Sequence, residues 1–425
     1  MESRTPLEQL ELELNKKAEC KEQIEQLKTY LNEKLYFQYL EASLTYIVTG
    51  KPDDGLCEFL VNAVEPLKSN FDPLRYAMFV GEVLSRSSES IQSKVKFLKN
   101  ILLEDEIYKI KETYNTARLT QEQNIAPKQE IKGDIYLRCL LALEYSRSAE
   151  FRIECEEALE FLTERFQSLR GLEAEIHALY HRSYASYERT MGRISRFYRQ
   201  AMNYLSYTPL NKIPINSKPS LVYELIMAAV ISEDIYNMGE LVLHPIVQEF
   251  SSIIKGTYSD QIDESVRKEF LENAWILEVL VSLHEGDIDT FMSTVSKYQD
   301  KVSRTPLSTT DAQICITKKT TTLALMDLAF RKNKNERVLS FDEIAKHCRI
   351  GLNEIELLVM KAINMNLIKG VIDQVSQTVE ISWVHSRVLD KTRMKLLIDK
   401  MDNWIDTTTN IVSQLENIAP ELVNL

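Results

Sequence analysis

The sequence predicts a mainly α chain: helical hairpins in series, then a compact helix-turn-helix with a β-hairpin, then one long terminal helix. Three observations point there. Eleven glycines and eleven prolines in 425 residues leave few of the positive-φ turns that sheet proteins and nucleotide-binding α/β folds use freely. Apolar residues recur at helical spacing from residue 7 to about 300. After residue 304 the texture changes, and short β-branched runs appear among the helices.

At 425 residues the chain has room for several domains or one extended repeat array, and 44% apolar with 27% charged residues is an ordinary globular composition. No run approaches the roughly 18 apolar residues of a membrane span. The polar start MESRTPLEQLELELNKK lacks the apolar core of a signal peptide, so the expected setting is cytoplasm and nucleus. The six cysteines, Cys20, Cys57, Cys139, Cys155, Cys315 and Cys348, stand far apart and read as reduced, mostly buried thiols.

In EALEFLTERFQSLRG, Leu159, Leu162, Phe166 and Leu169 form one apolar stripe, with Gly171 as a stop beyond it. WILEVLVSLHEGDIDTFMSTV reads as a helical hairpin. Trp275, Val279 and Leu283 line its first helix and Gly286 ends it; Asp287 caps the second, where Ile288, Phe291, Met292 and Val295 continue. Such hairpins in series make a solenoid, each burying its apolar face on the next. Breaks fall at 49–55, 123–133 and 208–220.

DAQICITKKTTTLALMDLAFRK is the next helix and RVLS a short extended piece. Ser340 with Glu343 forms a capping box, Leu339 with Ile344 a hydrophobic staple, and Gly351 turns the chain into LNEIELLVMKAINM, which buries Ile355, Leu358, Val359, Ala362 and Ile363. IKGVIDQV and TVEISWV, parted by Ser376 and Gln377, are a β-hairpin. This order of elements is a winged helix.

A DNA-reading module would carry Arg, Lys, Asn or Gln at the start of its second helix. Here Glu354 and Glu356 flank that end beside Asn353, and residues 340–374 hold four basic against five acidic side chains. The whole chain carries −12. Protein–protein assembly is therefore the expected use, with Val379, Ile381 and Trp383 of the wing as contact residues; a winged-helix nucleic-acid binder is the alternative.

From near Leu389, Leu397, Trp404, Ile411 and Ile418 recur every seven residues. Met394, Met401, Thr408 and Leu415 flank them on one side, Ile398, Ile405, Val412 and Ala419 on the other. A two-stranded coiled coil needs only a narrow a/d seam. A stripe this wide predicts a helix packed among several others, so Met394, Leu397, Ile398, Met401, Trp404, Ile405, Ile411, Val412, Leu415 and Ile418 are the expected interface.

Catalytic signatures are missing: there is no G-x-x-x-x-G-K-[ST], G-x-G-x-x-G or G-x-S-x-G. His177 and His181, with Glu173 a turn earlier, could share a helix face, but the first histidine is not followed by the glutamate of a hydrolytic zinc site. Tyr180, Tyr184 and Tyr187 read as helix packing, and His244-Pro245 as a turn that orients a helix. No enzyme activity, cofactor or metal is expected.

The segments YNMGELVLHPI at 236–246, LHEGDIDTF at 283–291, SFDEIAKHCRIGLNEIELLVMKAINMNLIKGVIDQV and TVEISWVHSRVLD together resemble the PCI domain family, most clearly over residues 170 to 405. Met238 replaces an aromatic residue and Gly351 a Ser or Thr cap of the family pattern. The resemblance implies a right-handed helical-repeat solenoid flowing into a winged helix, with repeats over 1–169, the helical part of the PCI domain over 170–303, the winged helix over 304–386 and a bundle helix over 387–425. It implies a non-catalytic scaffold of the proteasome lid, in a hetero-oligomeric complex with other PCI and MPN-fold subunits. The signalosome and a translation initiation factor complex use the same domain and stand as alternatives.

Overall fold

The computed structural model describes residues 21–49, 56–102, 129–257, 264–286, 288–332, 337–385 and 391–418. Cys20, Asp287, Leu389, Ala419 and parts of the breaks at 49–55 and 123–133 lie outside them, as do the side chains of Cys57 and Ile418. The chain is mainly helical and divides into two compact units, Met1–Ile213 and Pro214–Leu425. The division falls inside the proline-bearing break at 208–220.

The first unit contains α1 (Lys21–Asn32), α2 (Tyr36–Thr49), α3 (Pro73–Arg86), α4 (91–102), α5 (Gln129–Ser146), α6 (Arg152–Ser168), α7 (Ala174–Thr190) and α8 (Ile194–Tyr207). No structural boundary lies at 169/170, because α7 packs back on α5 and forward on α8. Phe166 on α6 stacks on Tyr180 of α7 at 4.2 Å between ring centroids, while the Tyr180 hydroxyl lies 2.9 Å from Thr163 Oγ1. Tyr180 and Tyr187 are buried and Tyr184 is half-buried, so this tyrosine row is interhelical packing. Gly171 adopts a left-handed φ of 79° after α6.

The second unit contains α9 (Lys218–Ile231), α10 (Pro245–Ile254), α11 (Glu264–Glu272), α12 (Ala274–Glu285), α13 (Ile288–Lys297) and α14 (Thr310–Arg331). It continues through β1 (Val338–Ser340), α15 (Phe341–Cys348), α16 (Leu352–Asn364), β2 (Ile368–Asp373), β3 (Thr378–Val384) and α17 (Lys391–Ile418). His244 caps α10, its Nδ1 accepting from the Ile246 amide at 3.3 Å with Pro245 in the first turn, the helix-orienting turn expected there. The hairpin of α12 and α13 forms as read: Trp275, Val279, Leu283, Ile288 and Phe291 are buried and Gly286 ends α12 at φ 80°. Met292, expected inside, is half exposed.

At the centre stands α14. Every residue from Lys319 to Ala329 is buried, and the helix touches α9, α12, α13, α15, α16 and β3. A buried helical stretch must satisfy its polar groups within the protein. Thr320 donates to the Ile316 carbonyl at 2.7 Å, and Thr321 and Thr322 to that of Lys318 at 2.9 and 2.8 Å.

Candidate protein-interaction surface

The winged helix is built outward from the end of α14. Ser340 Oγ accepts from the Glu343 amide at 3.3 Å, and the staple pair Leu339 and Ile344 is fully buried. The Glu343 carboxylate, expected to complete a reciprocal capping box, instead pairs with Lys332 Nζ at 2.7 Å. Arg349, not Gly351, makes the turn into α16: it takes the left-handed conformation at φ 52°, while Gly351 is an extended helix cap at φ −69°. Arg349 also forms an ion pair with Asp289 of α13.

The sheet has strand order β1-β3-β2, antiparallel throughout. Asp373 Oδ1 shapes the wing turn by accepting from the Val375 and Ser376 amides at 3.0 and 3.1 Å. Between Lys369 and Gly370 the register slips: Gly370 faces Ile381 whereas Lys369 faces Trp383, leaving Ser382 as the extra residue, its hydroxyl donating to the Lys369 carbonyl at 3.0 Å.

That bulge corrects the wing expectation. Val379 and Ile381 are 0% and 1% exposed, as buried as Ile344, Ile355 and Val359, and present no side chain to a partner. Trp383 lies past the slip and is 41% exposed, with Lys369 Nζ 5.3 Å from its ring centroid. Simple alternation puts the three on one face; the inserted residue turns the third outward.

Expected core positions of α16 hold: Ile355, Leu358, Val359 and Ala362 are buried and Ile363 half-buried. The outward face, which would read bases in a DNA-binding protein, presents Leu357 and Met360 at 70% and 59% exposure together with Glu354. Apolar side chains and a carboxylate are poor partners for phosphates.

α17 is the most exposed element among the described residues. Met394, Leu397, Ile398, Met401, Trp404, Ile405, Ile411, Val412 and Leu415 are all 40% exposed or more, Trp404 reaching 71%. Every described side chain from Met401 to Leu415 is exposed, so the apolar stripe has no cover among the described residues. Lys400 ties the helix to the body, its Nζ donating to the Phe330 and Lys332 carbonyls at 2.9 and 3.3 Å. Burial, with Arg337 nearby, lowers its pKa.

In the first unit His177 and His181 both stack on Tyr207, at 4.9 and 5.6 Å between centroids, and His181 Nδ1 lies 2.7 Å from Gln200 Oε1. Burial lowers both pKa values, and no group of metal-ligating side chains forms among the described residues. Cys139, Cys155 and Cys348 are buried free thiols; Cys315 is half-buried.

A helical-repeat body ending in a winged helix defines the PCI class, and a PCI domain model matches residues 315–383. A second model, described as PSD13 N-terminal repeats, matches residues 23–257, more than half of the chain, and the chain belongs to the proteasome non-ATPase regulatory subunit 13 family. The match reaches well before residue 130, where the sequence alone offered only helical periodicity. The chain is 30% identical to the 26S proteasome non-ATPase regulatory subunit 13 of Dictyostelium discoideum, over 65% of this chain and 66% of that one. It is 25% identical to homolog B of that subunit in Arabidopsis thaliana, over 98% and 99%, and 24% identical to the 26S proteasome regulatory subunit RPN9 of Saccharomyces cerevisiae, over 92% and 91%.

Proposed function

We propose that this chain is a non-catalytic scaffold subunit of the lid of the 26S proteasome regulatory particle, supporting its assembly and ubiquitin-dependent degradation in cytoplasm and nucleus. The observation that carries the reading is the uncovered stripe of α17. Fully burying one large aliphatic or aromatic side chain is worth about 1.5–3 kcal/mol, so nine half-exposed ones are a large reserve of association energy. Thr407, Thr408 and Thr409 donate to carbonyls four residues back at 2.7–2.8 Å, so covering them leaves no hydroxyl unpaired. Helices of PCI and MPN-fold neighbours are the partners this stripe suits. Trp383 on the wing is the secondary contact; direct binding of nucleic acid is not part of the role.

The test compares tagged full-length chain with a version lacking 388–425 and with the double substitution Trp404→Asp, Ile411→Asp, each expressed in cells. Both variants are expected to keep their helical circular dichroism and to be absent from native-sized proteasome complexes, since an interface that buries two unpaired carboxylates is strongly disfavoured. Normal incorporation of either variant refutes the role of α17.

A further inference from the structure

A second uncovered apolar surface lies on the winged helix, in the trough between the first half of α14 and the outer face of α16. Ile314, Leu357 and Met360 line it and are 51%, 70% and 59% exposed. It is open, and its volume of about 1110 Å³ is far beyond a packing defect. Lys318 and Lys361 also line it, both near enough to Cys315 to act on its thiol, and Glu354, two turns from Lys361 along α16, lines it too.

The two lysines have no ion-pair partner among the described residues. The Glu233 carboxylate accepts from Cys315 Sγ at 2.8 Å and forms no ion pair with either lysine. An apolar trough flanked by two free ammonium groups selects an occupant that is apolar on one side and acidic at its margin. Its walls are two packed helices, and the lining residues of α14 run from Thr310 to Thr321, about 16 Å at 1.5 Å per residue. That length holds about three helical turns, and a third helix seats on a helix pair by ridges into grooves.

We infer that the trough between α14 and α16 is a docking site for a short amphipathic helix of a partner protein, carrying apolar anchors at i, i+3 or i+4 and i+7 and acidic residues where it passes Lys318 and Lys361. The inference does not depend on the role proposed for α17, and the two surfaces are separately mutable.

The experiment selects binders from a displayed library of 14-residue peptides of high helix propensity, using the full-length chain as bait, and measures the enriched peptides by fluorescence anisotropy. Expected binders carry the apolar spacing with Asp or Glu beside it. Leu357→Ser with Met360→Ser, and separately Lys318→Glu with Lys361→Glu, should each weaken them at least tenfold. These side chains are exposed or half-buried on the trough, so an unchanged thermal midpoint verifies that the variants remain folded. Failure to enrich any peptide, enriched peptides without acidic residues, or binders indifferent to both variant pairs would overturn the proposal. So would a concentration-dependent dimer abolished by Leu357→Ser with Met360→Ser, since a second copy would then be the occupant.

Discussion

Lys319 Nζ lies 2.6 Å from the Ala229 carbonyl oxygen, joining positions 90 residues apart in a site where Lys319 is 2% exposed. The same nitrogen donates to the Ser232 carbonyl at 2.9 Å, so a buried amine closes the C-terminal end of α9. Lys94 does the same for α3, donating to the Leu84 and Ser87 carbonyls at 2.8 Å each, and Lys400 for α14. Helix ends leave carbonyls without partners, and these lysines supply what a glycine-based cap or water would otherwise provide.

Replacing Lys319 with Met should destabilise the second unit by about 1–3 kcal/mol, because the Ser232 carbonyl loses its Lys319 donor and the Ala229 carbonyl keeps only a long 3.5 Å bond from Ser232 Oγ. Burial lowers the Lys319 pKa from 10.5 to about 7, against the opposing pull of Asp234 and Cys315. Between those values the unfolded chain binds more protons than the folded one, so this group makes stability rise with pH from about 7 towards 10 and adds no slope below that window. Urea midpoints of both proteins across pH 6.5–9.5 should show a difference that widens with pH, the parent gaining what Lys319→Met cannot.

Gly370→Ala should damage the wing. A Cβ at this position would collide with the Glu380 carbonyl of the paired strand, and backbone cannot yield as a flexible side chain could. We expect a loss of about 2 kcal/mol or more, read as a lowered thermal midpoint.

Gly351→Ser should stabilise. The backbone there already has helix-cap dihedrals open to any residue, an added Cβ would meet no atom within 4 Å, and serine adds a capping hydroxyl while restricting the unfolded chain. The expected gain is about 0.5–1 kcal/mol, measured as a shift of the urea midpoint.

Val379→Ala and Trp383→Ala should separate core from surface in one strand. The first empties part of a closed core and should cost about 2 kcal/mol. The second should change stability by less than about 1 kcal/mol and act only on incorporation into the complex, measured by the fraction of chain in native-sized assemblies.

Much of the architecture was legible because its signals are local. Ser340 with its capped amide, the Leu339 and Ile344 staple, Gly286, the wing turn and the stripe of α17 each depend on residues a few positions apart. Local spacing could not show which partner the Glu343 carboxylate would take, nor that Arg349 would make the turn. It could not place Trp383 either, since one inserted residue at the bulge shifts the alternation.

The sequence by itself determined the helical hairpins, the Ser340 cap and the wide apolar stripe of α17. Only the tertiary structure decided that the stretch of α14 from Lys319 to Ala329 is enclosed, that Lys319 closes a helix 90 residues away, that a trough opens beside α16 and that the units part at Ile213. The physical reason is range: a cap or a periodic stripe is fixed by neighbours along the chain, whereas burial is fixed by whichever distant elements fold against it.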